Sequence, residues 1–362
     1  MSMVFFMNVK RFRKNLLDWY AVHHRRLPWR ETSDPYAVWV SEIMLQHTRV
    51  DTAIAYYQRF MERFPTPTQL AASDIQDVLK MWEGLGYYSR ARNLHRAAGI
   101  IVSQFEGRIP DDPQRFLTLP GVGDYTCAAV LSIAFGKALP VVDGNVKRVI
   151  ARLLEMGTPV NQPTAHAVFK EPAARLLCHD HPSEFNQAVM ELGALVCIPK
   201  SPRCPNCPVS TFCLAHKNHT TGVYPKRRPP KKIPHRHTII VVIQKKEKML
   251  VVQRPMEGFL GGLWEFPSIP GSFKSPPAEQ ITGEIRGETG LTIEITEKLT
   301  RIKHAYTHFT LTGDIYMGRY IKGRVRLQTA KTHRWVTVGA LKRLPLHKAT
   351  HKFLEPLAAF LR

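Results

Sequence analysis

The chain has 362 residues, of which 44% are hydrophobic, and its Lys and Arg residues total 51 against 29 Asp and Glu. This length exceeds the roughly 100–200 residues of one domain, so we expect two globular domains. The formal net charge of +22 at pH 7 favours a polyanionic partner, although charge alone leaves open a ribosome-associated or merely soluble basic protein. The opening MSMVFFMNVKRFRKN is too short in apolar residues for the ~20-residue span of a membrane helix, which predicts a cytoplasmic protein without a membrane segment.

The chain has two regions that differ in the pattern of their apolar residues. From about residue 8 to 215 apolar residues recur at helical spacing, as in Phe12, Leu16 and Trp19. Residues 224–236, YPKRRPPKKIPHR, are basic and proline-rich and cannot build a core, so they predict an extended connector. Beyond it, short β-branched and aromatic runs separated by turn residues predict an α+β domain, with a helix near residues 277–288. We therefore place a helical domain at 1–223 and an α+β domain at 237–362.

The stretch YAVWVSEIMLQHTR, residues 36–49, places Glu42 on one helix face with Trp39 and Gln46. That face is mostly apolar, and a carboxyl group beside aromatic and apolar side chains has a raised pKa, as a general acid at neutral pH requires. The alternative interpretation is a Glu paired with one of the many arginines.

Residues 117–126, LTLPGVGDYT, lead into the apolar stretch CAAVLSIAFG. Gly121 and Gly123 permit a tight hairpin, and the helix that follows offers free N–H groups to a phosphate oxygen. This pattern is similar to a helix-hairpin-helix element, although a glycine turn between helices is also common in proteins that do not bind DNA. Further on, Asp143 precedes a helix and is, taken alone, best explained as its N-cap.

Four cysteines are crowded between residues 197 and 213, whereas Cys127 and Cys178 stand singly. The spacing is Cys197-x6-Cys204-x2-Cys207-x5-Cys213, which is enough to surround one metal centre in a cytosolic protein. Spacing alone leaves zinc and a four-iron cluster both open. We predict a structural metal site that shapes a basic loop.

Seven motifs occur in an order that resembles the adenine DNA glycosylases of the MutY type, over nearly the whole chain. They are LPWR (27–30), VSEIMLQHT (40–48), GLGYYSRARNLH (84–95), LPGVGDYT (119–126), VVDGNVKR (141–148), FNQAVMELGALVC (185–197) and the four cysteines. The resemblance implies an all-α helix-hairpin-helix glycosylase domain with one 4Fe–4S cluster on the cysteine loop, zinc being the alternative. It also implies hydrolysis of the N-glycosidic bond of adenine opposite 8-oxoguanine in duplex DNA, and less efficiently opposite guanine.

The same resemblance assigns catalytic roles to four residues. The residue matching Glu42 protonates adenine N7, and the one matching Asp143 stabilises the sugar cation, a division of labour like that of retaining glycosidases. Tyr125 and Asn145 match positions that orient these carboxyl groups. Relatives of the endonuclease III type carry a lysine where this chain has Tyr125, and only lysine forms the Schiff base needed for strand cleavage. A monofunctional enzyme that leaves an abasic site is therefore expected.

Further positions are carried over from the family by their match to these motifs. The adenine pocket is matched by Trp29, Arg30, Leu45 and Gln187. Contacts to DNA and to the lesion are matched by His47, Thr48, Leu85, Tyr87, Gly121, Val122, Gly123, Tyr306, Thr307 and His308. The family usually has Gln where this chain has His47, and Phe-Ser-His where it has residues 306–308. Both differences keep groups that can stack or form hydrogen bonds.

The C-terminal half resembles the Nudix-like domain of these glycosylases, with LGGLWEFP (260–267) as its clearest segment. A Nudix hydrolase needs an arginine and a metal-binding glutamate where residues 283–291, GEIRGETGL, have Gly283 and Gly287. We therefore predict lesion recognition without phosphohydrolysis.

The prediction is thus a multidomain, monomeric DNA glycosylase whose α-helical domain is joined to an α+β recognition domain. Three rival functions remain. They are a pyrimidine-lesion or mismatch glycosylase on the same fold, a non-catalytic DNA-binding or redox-sensing protein, and a nucleotide pyrophosphohydrolase.

Overall fold

A computed structural model describes residues 8–230, 232–271 and 276–361. Residues 1–7, which carry much of the expectation about the opening segment, and Lys231 of the predicted connector lie outside the described residues. Within the described ranges no helix is both long and apolar enough to cross a membrane. The chain forms two compact units, the first from residues up to 71 together with 96–230, and the second from 72–95 together with the residues after 231.

Helices dominate the described residues before the connector. In chain order they are α1 Val9–His23, α2 Pro35–Leu45, α3 Val50–Arg63, α4 Pro67–Ala72, α5 Ile75–Met81, α6 Ser89–Gln104, α7 Pro113–Leu117, α8 Asp124–Phe135, α9 Gly144–Leu153, α10 Ala165–Leu176, α11 Pro182–Leu195 and α12 Leu214–Lys217. Short 3₁₀ turns lie at Pro28–Arg30, Cys204–Asn206 and Ser210–Phe212. Helix α5 and the start of α6 belong to the second unit, and the other helices form the first.

Helices α2 and α8 are central to the first unit. Every residue from Tyr36 to Met44 and from Thr126 to Ser132 is buried, because both helices are apolar on all sides and have no face suited to solvent. Asp34 fixes the start of α2, since its carboxylate accepts hydrogen bonds from the amides of Tyr36 and Ala37. The two helices pack against each other, so a polar side chain on either one lies in an apolar environment.

The turn between α7 and α8 has the predicted hairpin shape. Gly121 adopts φ 81°, a left-handed conformation that favours glycine. The Val122 amide donates to the Leu119 carbonyl at 3.1 Å, and Gly123 is the N-cap of α8. The amides that begin α8 therefore follow directly on the glycine turn.

The second unit is built on a mixed sheet of the strands β1 His235–Lys245, β2 Lys248–Gln253, β3 Trp264–Glu265, β4 Ser268–Pro270, β5 Leu291–Ala305, β6 Thr310–Gly323 and β7 Thr332–Val336. The order along the sheet is β3-β2-β1-β6-β5, with β4 beside β1 and β7 beside β2. Strands β1 and β6 are parallel, and the other pairs are antiparallel. The remaining helices are α13 Ala278–Thr289, α14 Val338–Leu341 and α15 Lys348–Phe360.

Both faces of this sheet are covered. Ile240 and Val242 of β1 pack on one face in a core that includes Phe353 of α15. Ile239, Val241 and Ile243 point to the other face, where Ile285 of α13 lies, as the two-residue period of a strand requires. The predicted succession of a helical domain and an α+β domain is confirmed, and the helix expected near 277–288 is α13.

Residues 72–95 are held in the second unit by side-chain hydrogen bonds. The Gln76 amide donates to the Gly262 carbonyl at 3.1 Å and accepts from the Trp264 indole at 2.8 Å. Glu83 lies 2.6 Å from His351 of α15, and Arg92 donates to the Gly261 carbonyl at 2.7 Å. Nothing in the sequence of this segment predicted that it would be grouped with residues so distant along the chain.

The first part of the connector is pinned to the first unit. The Val160 amide donates to the Lys226 carbonyl at 3.0 Å. The Asn161 side chain forms two hydrogen bonds with the backbone of Arg228. Its Nδ2 donates to the Arg228 carbonyl at 2.9 Å, and its Oδ1 accepts from the Arg228 amide at 2.8 Å. Residues 226–230 form neither helix nor strand, and β1 begins at His235.

Candidate active site

One cavity of about 210 Å³ in the first unit gathers most of the residues predicted for catalysis and base binding. The predicted residues that line it are Trp29, Arg30, Glu42, Leu45, Thr48, Tyr125, Asp143, Asn145 and Gln187. They come from the 3₁₀ turn at 28–30, from α2 and the residues just after it, and from α8, α9 and α11. Residues spread over more than 150 positions of sequence therefore meet at one place.

Glu42 is 5% exposed and is carried by the buried helix α2. Burial raises its pKa to about 7, with Asp143 adding to the rise, while the Tyr125 hydrogen bond and Arg30 oppose it. The Tyr125 hydroxyl donates to Glu42 Oε2 at 2.5 Å. Burial also raises the pKa of Tyr125 well above its usual value, so the phenol keeps the proton that it donates. This carboxyl group exchanges its proton near neutral pH, as a general acid must.

Asp143 is the N-cap of α9, and its two oxygens have separate partners. Oδ1 accepts from the Val146 amide at 2.6 Å, and Oδ2 accepts from Asn145 Nδ2 at 3.0 Å. Burial raises the pKa of this carboxyl group although these hydrogen bonds lower it. The N-cap interpretation therefore holds, and capping also fixes the orientation in which Asp143 meets the cavity.

The start of α9 lies very close to α11. A Cβ atom on Gly193 would meet Asn145 Cβ at 2.6 Å, which no ordinary packing tolerates, so this contact requires glycine. Arg148 donates to the Gly193 carbonyl and to Asn145 Oδ1, each at 2.7 Å. The position of Asn145 is thus set by a neighbouring helix as well as by its own.

Residues of the wall away from the two carboxyl groups are also ordered by contacts. The Tyr20 hydroxyl donates to Gln187 Oε1 at 3.2 Å, and the Arg30 guanidinium lies 5.7 Å from the Tyr20 ring centre. The Trp29 ring packs edge-on against Tyr57 at 5.4 Å. The wall combines aromatic surface with amide and guanidinium groups, which suits a planar heterocycle with polar edges.

Two residues at this cavity, Arg25 and Glu191, were missed by the sequence analysis. Glu191 is 1% exposed and accepts hydrogen bonds from both Arg25 and Arg30. Burial alone would raise the pKa of Glu191, but these hydrogen bonds lower it to about 2. Glu191 lies four residues after Gln187, one helical turn further along α11, and that spacing was the available signal.

The residues predicted to recognise the lesion line a cavity of about 390 Å³ in the second unit. They are Leu85, Tyr87, Tyr306, Thr307 and His308. The last three lie in the turn between β5 and β6. The Tyr87 hydroxyl donates to Thr307 Oγ1 at 2.8 Å, so the two segments are directly linked.

His47 and Tyr87 have φ values of 60° and 48°, a left-handed conformation that is uncommon for residues other than glycine and is often associated with functional sites. His47 follows α2 directly and lines neither of these two described cavities. Gly121, Val122 and Gly123 lie in the hairpin before α8 and are likewise outside both cavities.

The four crowded cysteines form no disulfide. Burial is the main cause that raises the pKa of the Cys207 thiol to about 12, and Cys197, Cys204 and Cys213 each add to the rise. Among described residues no three His, Cys, Asp or Glu side chains are grouped as a site for a metal ion. Arg152, 2% exposed, lies with Nη1 3.4 Å from Cys197 Sγ and donates to the carbonyls of Ile198 and Pro199. The Cys197 thiol thus lies beside a buried cation.

Helix α13 contains the segment compared above with the Nudix pattern. Gly283 and Gly287 are exposed and offer no side chain to a metal. Glu288 accepts hydrogen bonds from the Thr329 amide and hydroxyl, at 3.2 and 2.5 Å.

Two family models match the chain. Residues 40–171 match the HhH-GPD superfamily of base excision DNA repair proteins, and residues 238–356 match the NUDIX domain. The predicted helix-hairpin-helix and Nudix-like domains are therefore confirmed. The first match contains Glu42, Tyr125, Asp143 and Asn145.

Curated relatives match along most of the chain. The adenine DNA glycosylase of Homo sapiens is 34% identical over 91% of this chain and 70% of its own length. That of Buchnera aphidicola (strain Sg) is 32% identical over 84% of this chain and 86% of its own. That of Arabidopsis thaliana is 36% identical, and the chain spans only 55% of its length.

Two solved structures are similar to part of the chain. A thermostable thymine-DNA glycosylase is 31% identical, with a TM-score of 0.54 over 58% of this chain and 97% of its own. Endonuclease III in a non-covalent complex with DNA is 21% identical, with a TM-score of 0.50 over 58% of this chain and 96% of its own. The second likeness shows the fold alone.

Proposed function

This chain belongs to the adenine DNA glycosylases, DNA N-glycosylases of base excision repair, and on that premise we propose that it removes adenine paired with 8-oxoguanine. Adenine paired with guanine is the poorer substrate. The product is an abasic site in an uncut strand, and the proposed active form is the monomer.

The observation that carries the proposal is the pairing of two carboxyl groups with different surroundings. Glu42 has its pKa raised to about 7 by burial, so at neutral pH a large fraction carries the proton that the leaving adenine needs. Asp143 is held by two hydrogen bonds and supplies negative charge to the sugar as the C1′–N9 bond breaks. The electron pair of that bond leaves with the base, which Glu42 protonates at N7.

Water completes the reaction. Once it has given up its proton, the Glu42 carboxylate accepts one from the water that attacks C1′. Tyr125 stands where the resemblance places the lysine of strand-cleaving relatives, and a phenol has no amine with which to form a Schiff base. This supports hydrolysis without strand cleavage.

Recognition of the opposite base is proposed for the second-unit cavity. Tyr87 and Tyr306 supply aromatic surface, and Thr307 and His308 supply hydrogen-bonding groups. His47 and Thr48, which directly follow the buried helix α2, are proposed to contact the DNA near the lesion. The amides after Gly121 and Gly123 are proposed to bind a phosphate of the DNA backbone.

We also propose that Cys197, Cys204, Cys207 and Cys213 hold one 4Fe–4S cluster, with zinc as the alternative. Four thiolates around either metal centre leave it with a net negative charge, and the buried guanidinium of Arg152 beside Cys197 fits such a charge. Bound there, the metal centre would supply structural cross-linking of the loop. Iron, zinc and sulfide analysis of the purified protein distinguishes the two metals.

The test of function is single-turnover release of adenine from duplexes with 8-oxoguanine, guanine or thymine opposite the adenine. Rates should fall in that order, and Glu42→Gln and Asp143→Asn should each lower the first rate by at least about 100-fold. Asp112→Asn is the matched control for Asp143, because Asp112 also caps a helix by accepting from the amide three residues on but lies outside the cavity.

Three results would contradict the proposal. If Asp143→Asn and Asp112→Asn behave alike, Asp143 acts only as a cap. If the parent binds duplex DNA but frees no adenine, the non-catalytic DNA-binding function becomes the better explanation. Release of thymine opposite guanine would favour the mismatch glycosylase instead.

A further inference from the structure

The carboxylate of Glu191 is saturated by donors from two arginines. Oε1 accepts from the Arg25 amide at 2.8 Å, from Arg25 Nε at 2.9 Å and from Arg30 Nη1 at 3.1 Å. Oε2 accepts from Arg25 Nη2 at 2.8 Å and from Arg30 Nη2 at 2.9 Å. Five donors fill the roughly four lone-pair sites of a carboxylate, so Glu191 has no capacity left for a substrate and acts through its arginines.

Among the side chains that line the cavity, the charges balance when Glu42 is protonated; Arg148 of α9, which does not line it, also acts on Asp143. Arg25 and Arg30 contribute two positive charges, and Glu191 and Asp143 contribute two negative charges. Three groups act directly on Glu42: Tyr125 from α8, Asp143 from the start of α9 and Arg30 from the 3₁₀ turn. Glu191 of α11 lines the same cavity and is hydrogen-bonded to Arg30. Of these, only Arg30 is a cation that disfavours the protonated form.

An unpaired guanidinium beside Glu42 would favour the carboxylate over the carboxylic acid. Glu191 opposes this by pairing with Arg30 in a buried, two-oxygen contact, which weakens the field that Arg30 exerts at Glu42. Arg25, whose side chain is 34% exposed, also pairs with the Glu191 carboxylate. The net charge of the three side chains together is positive by one, which is balanced by Asp143.

We propose that Glu191 is a positioning residue that keeps the acid proton on Glu42 at neutral pH by neutralising the arginines beside it. This inference rests on the proposed function, because it takes Glu42 as the acid. It assigns Glu191 a role distinct from contact with the base. The pH range in which the enzyme works would then depend on the Glu191 carboxylate, although this group does not contact the substrate.

The test compares two variants with opposite expected signs. In Glu191→Gln the arginines lose their counter-charge, so the alkaline limb of the single-turnover pH profile should move down by about one pH unit. At a pH above that limb the rate is then about tenfold lower than the parent rate, beyond any uniform loss. In Arg25→Gln one cation is removed, so the limb should move up, by less, because Arg25 is partly exposed.

A direct titration of Glu42 keeps the test independent of turnover. Carbon-13 label in the glutamate carboxyl groups, with the Glu42 signal assigned from its absence in Glu42→Gln, gives the pKa of Glu42 without DNA. The same two shifts of opposite sign are expected. Arg25→Gln changes a partly exposed side chain and keeps the backbone amide that donates to Glu191, so it folds even if Glu191→Gln does not.

Several outcomes overturn the inference. A uniform loss of rate in Glu191→Gln with an unmoved limb means that Glu191 only holds the arginines in place. Movement of both variants in one direction, or an unchanged Glu42 titration in Arg25→Gln, has the same meaning. A parent that titrates as expected but frees no adenine refutes the proposed function and leaves the charge relation standing.

Discussion

At the scale of single residues, Glu42 combines a functional advantage with a cost to folding. Its usual pKa is 4.5, and burial raises the value to about 7. The folded state therefore binds this proton more tightly than the unfolded state does. The contribution to stability is fully present below the unfolded pKa, declines as the pH rises from about 4.5 to about 7, and stays lost above that range.

This sign gives a prediction for Glu42→Gln. Because glutamine carries no charge, the variant should be more stable than the parent above pH 7, by up to about 3 kcal/mol for a shift of this size. Below the unfolded pKa the difference should disappear. Urea unfolding at about pH 4 and about pH 8 measures both values. Glu62→Gln, at an exposed position of α3, is the control, and a gain independent of pH would contradict the explanation.

The residues of the cavity differ in how visible they are in the sequence. Glu42 is signalled by its apolar helix face, and Asp143 by its position before a helix, although only the resemblance raised either above a structural role. Glu191 was signalled only by its spacing of one helical turn from Gln187, because its partners, Arg25 and Arg30, are more than 160 positions away. The role of Glu191 follows from its pairing with these two arginines. Pairing between residues so far apart in the sequence is set by tertiary packing and cannot be read from local sequence.

At the scale of elements, α13 keeps two glycines where a helix does not need them. Gly283 and Gly287 are exposed, and a Cβ atom at either would meet no heavy atom within 4 Å. Glycine in a helix interior costs about 0.5–1 kcal/mol relative to alanine. These positions therefore weaken the helix without serving packing.

Replacing either glycine should stabilise the protein. Gly283→Ala and Gly287→Ala are each expected to raise the free energy of unfolding by about 0.5–1 kcal/mol. Gly290→Ala is the contrast, since Gly290 ends α13 at φ 73° and its Cβ atom would meet the Arg324 carbonyl oxygen at 2.9 Å. That variant should be destabilised. Thermal unfolding of the three variants checks the ranking, and a loss at 283 or 287 would contradict it.

Elements were the most predictable level of this fold. The helical spacing of apolar residues before residue 215 and the short β-branched and aromatic runs beyond residue 237 predicted helix and strand from the local sequence alone. The left-handed conformations at His47 and Tyr87 had no local signal, because neither residue type requires them. Conformations of that kind are imposed by the surrounding packing.

At the scale of the whole molecule, the net charge of +22 implies DNA binding that weakens steeply with salt. Lys226 and Arg227 are exposed on a segment whose backbone is pinned through Lys226 and Arg228. A basic strip held in place meets phosphates at a smaller loss of conformational freedom than a free linker would. We therefore expect the connector to contribute contacts and not only length.

This expectation is testable through the salt dependence of duplex binding. The double variant Lys226→Gln, Arg227→Gln should reduce the slope of log K against log salt by about 1.8, at about 0.9 for each phosphate contact. The double variant Lys246→Gln, Lys248→Gln removes the same charge at two exposed positions, one in the β1–β2 turn and one at the start of β2, and serves as the control. Equal changes in the two slopes would mean that only overall charge matters.

The interrupted make-up of the second unit has a consequence for how the protein is made. Residues 72–95 leave the ribosome before all of 96–230, and at roughly 5–20 residues per second the strands of their own unit follow on the order of ten seconds later. During that interval Leu79, whose side chain lies close to Gly262 in the finished fold, has no place to be buried. Nascent chains of this protein therefore pass through a period in which the apolar residues of α5, Val78 and Leu79, are open to chaperones. Residues 72–95 reach their final contacts only after translation has passed into the strands of the second unit.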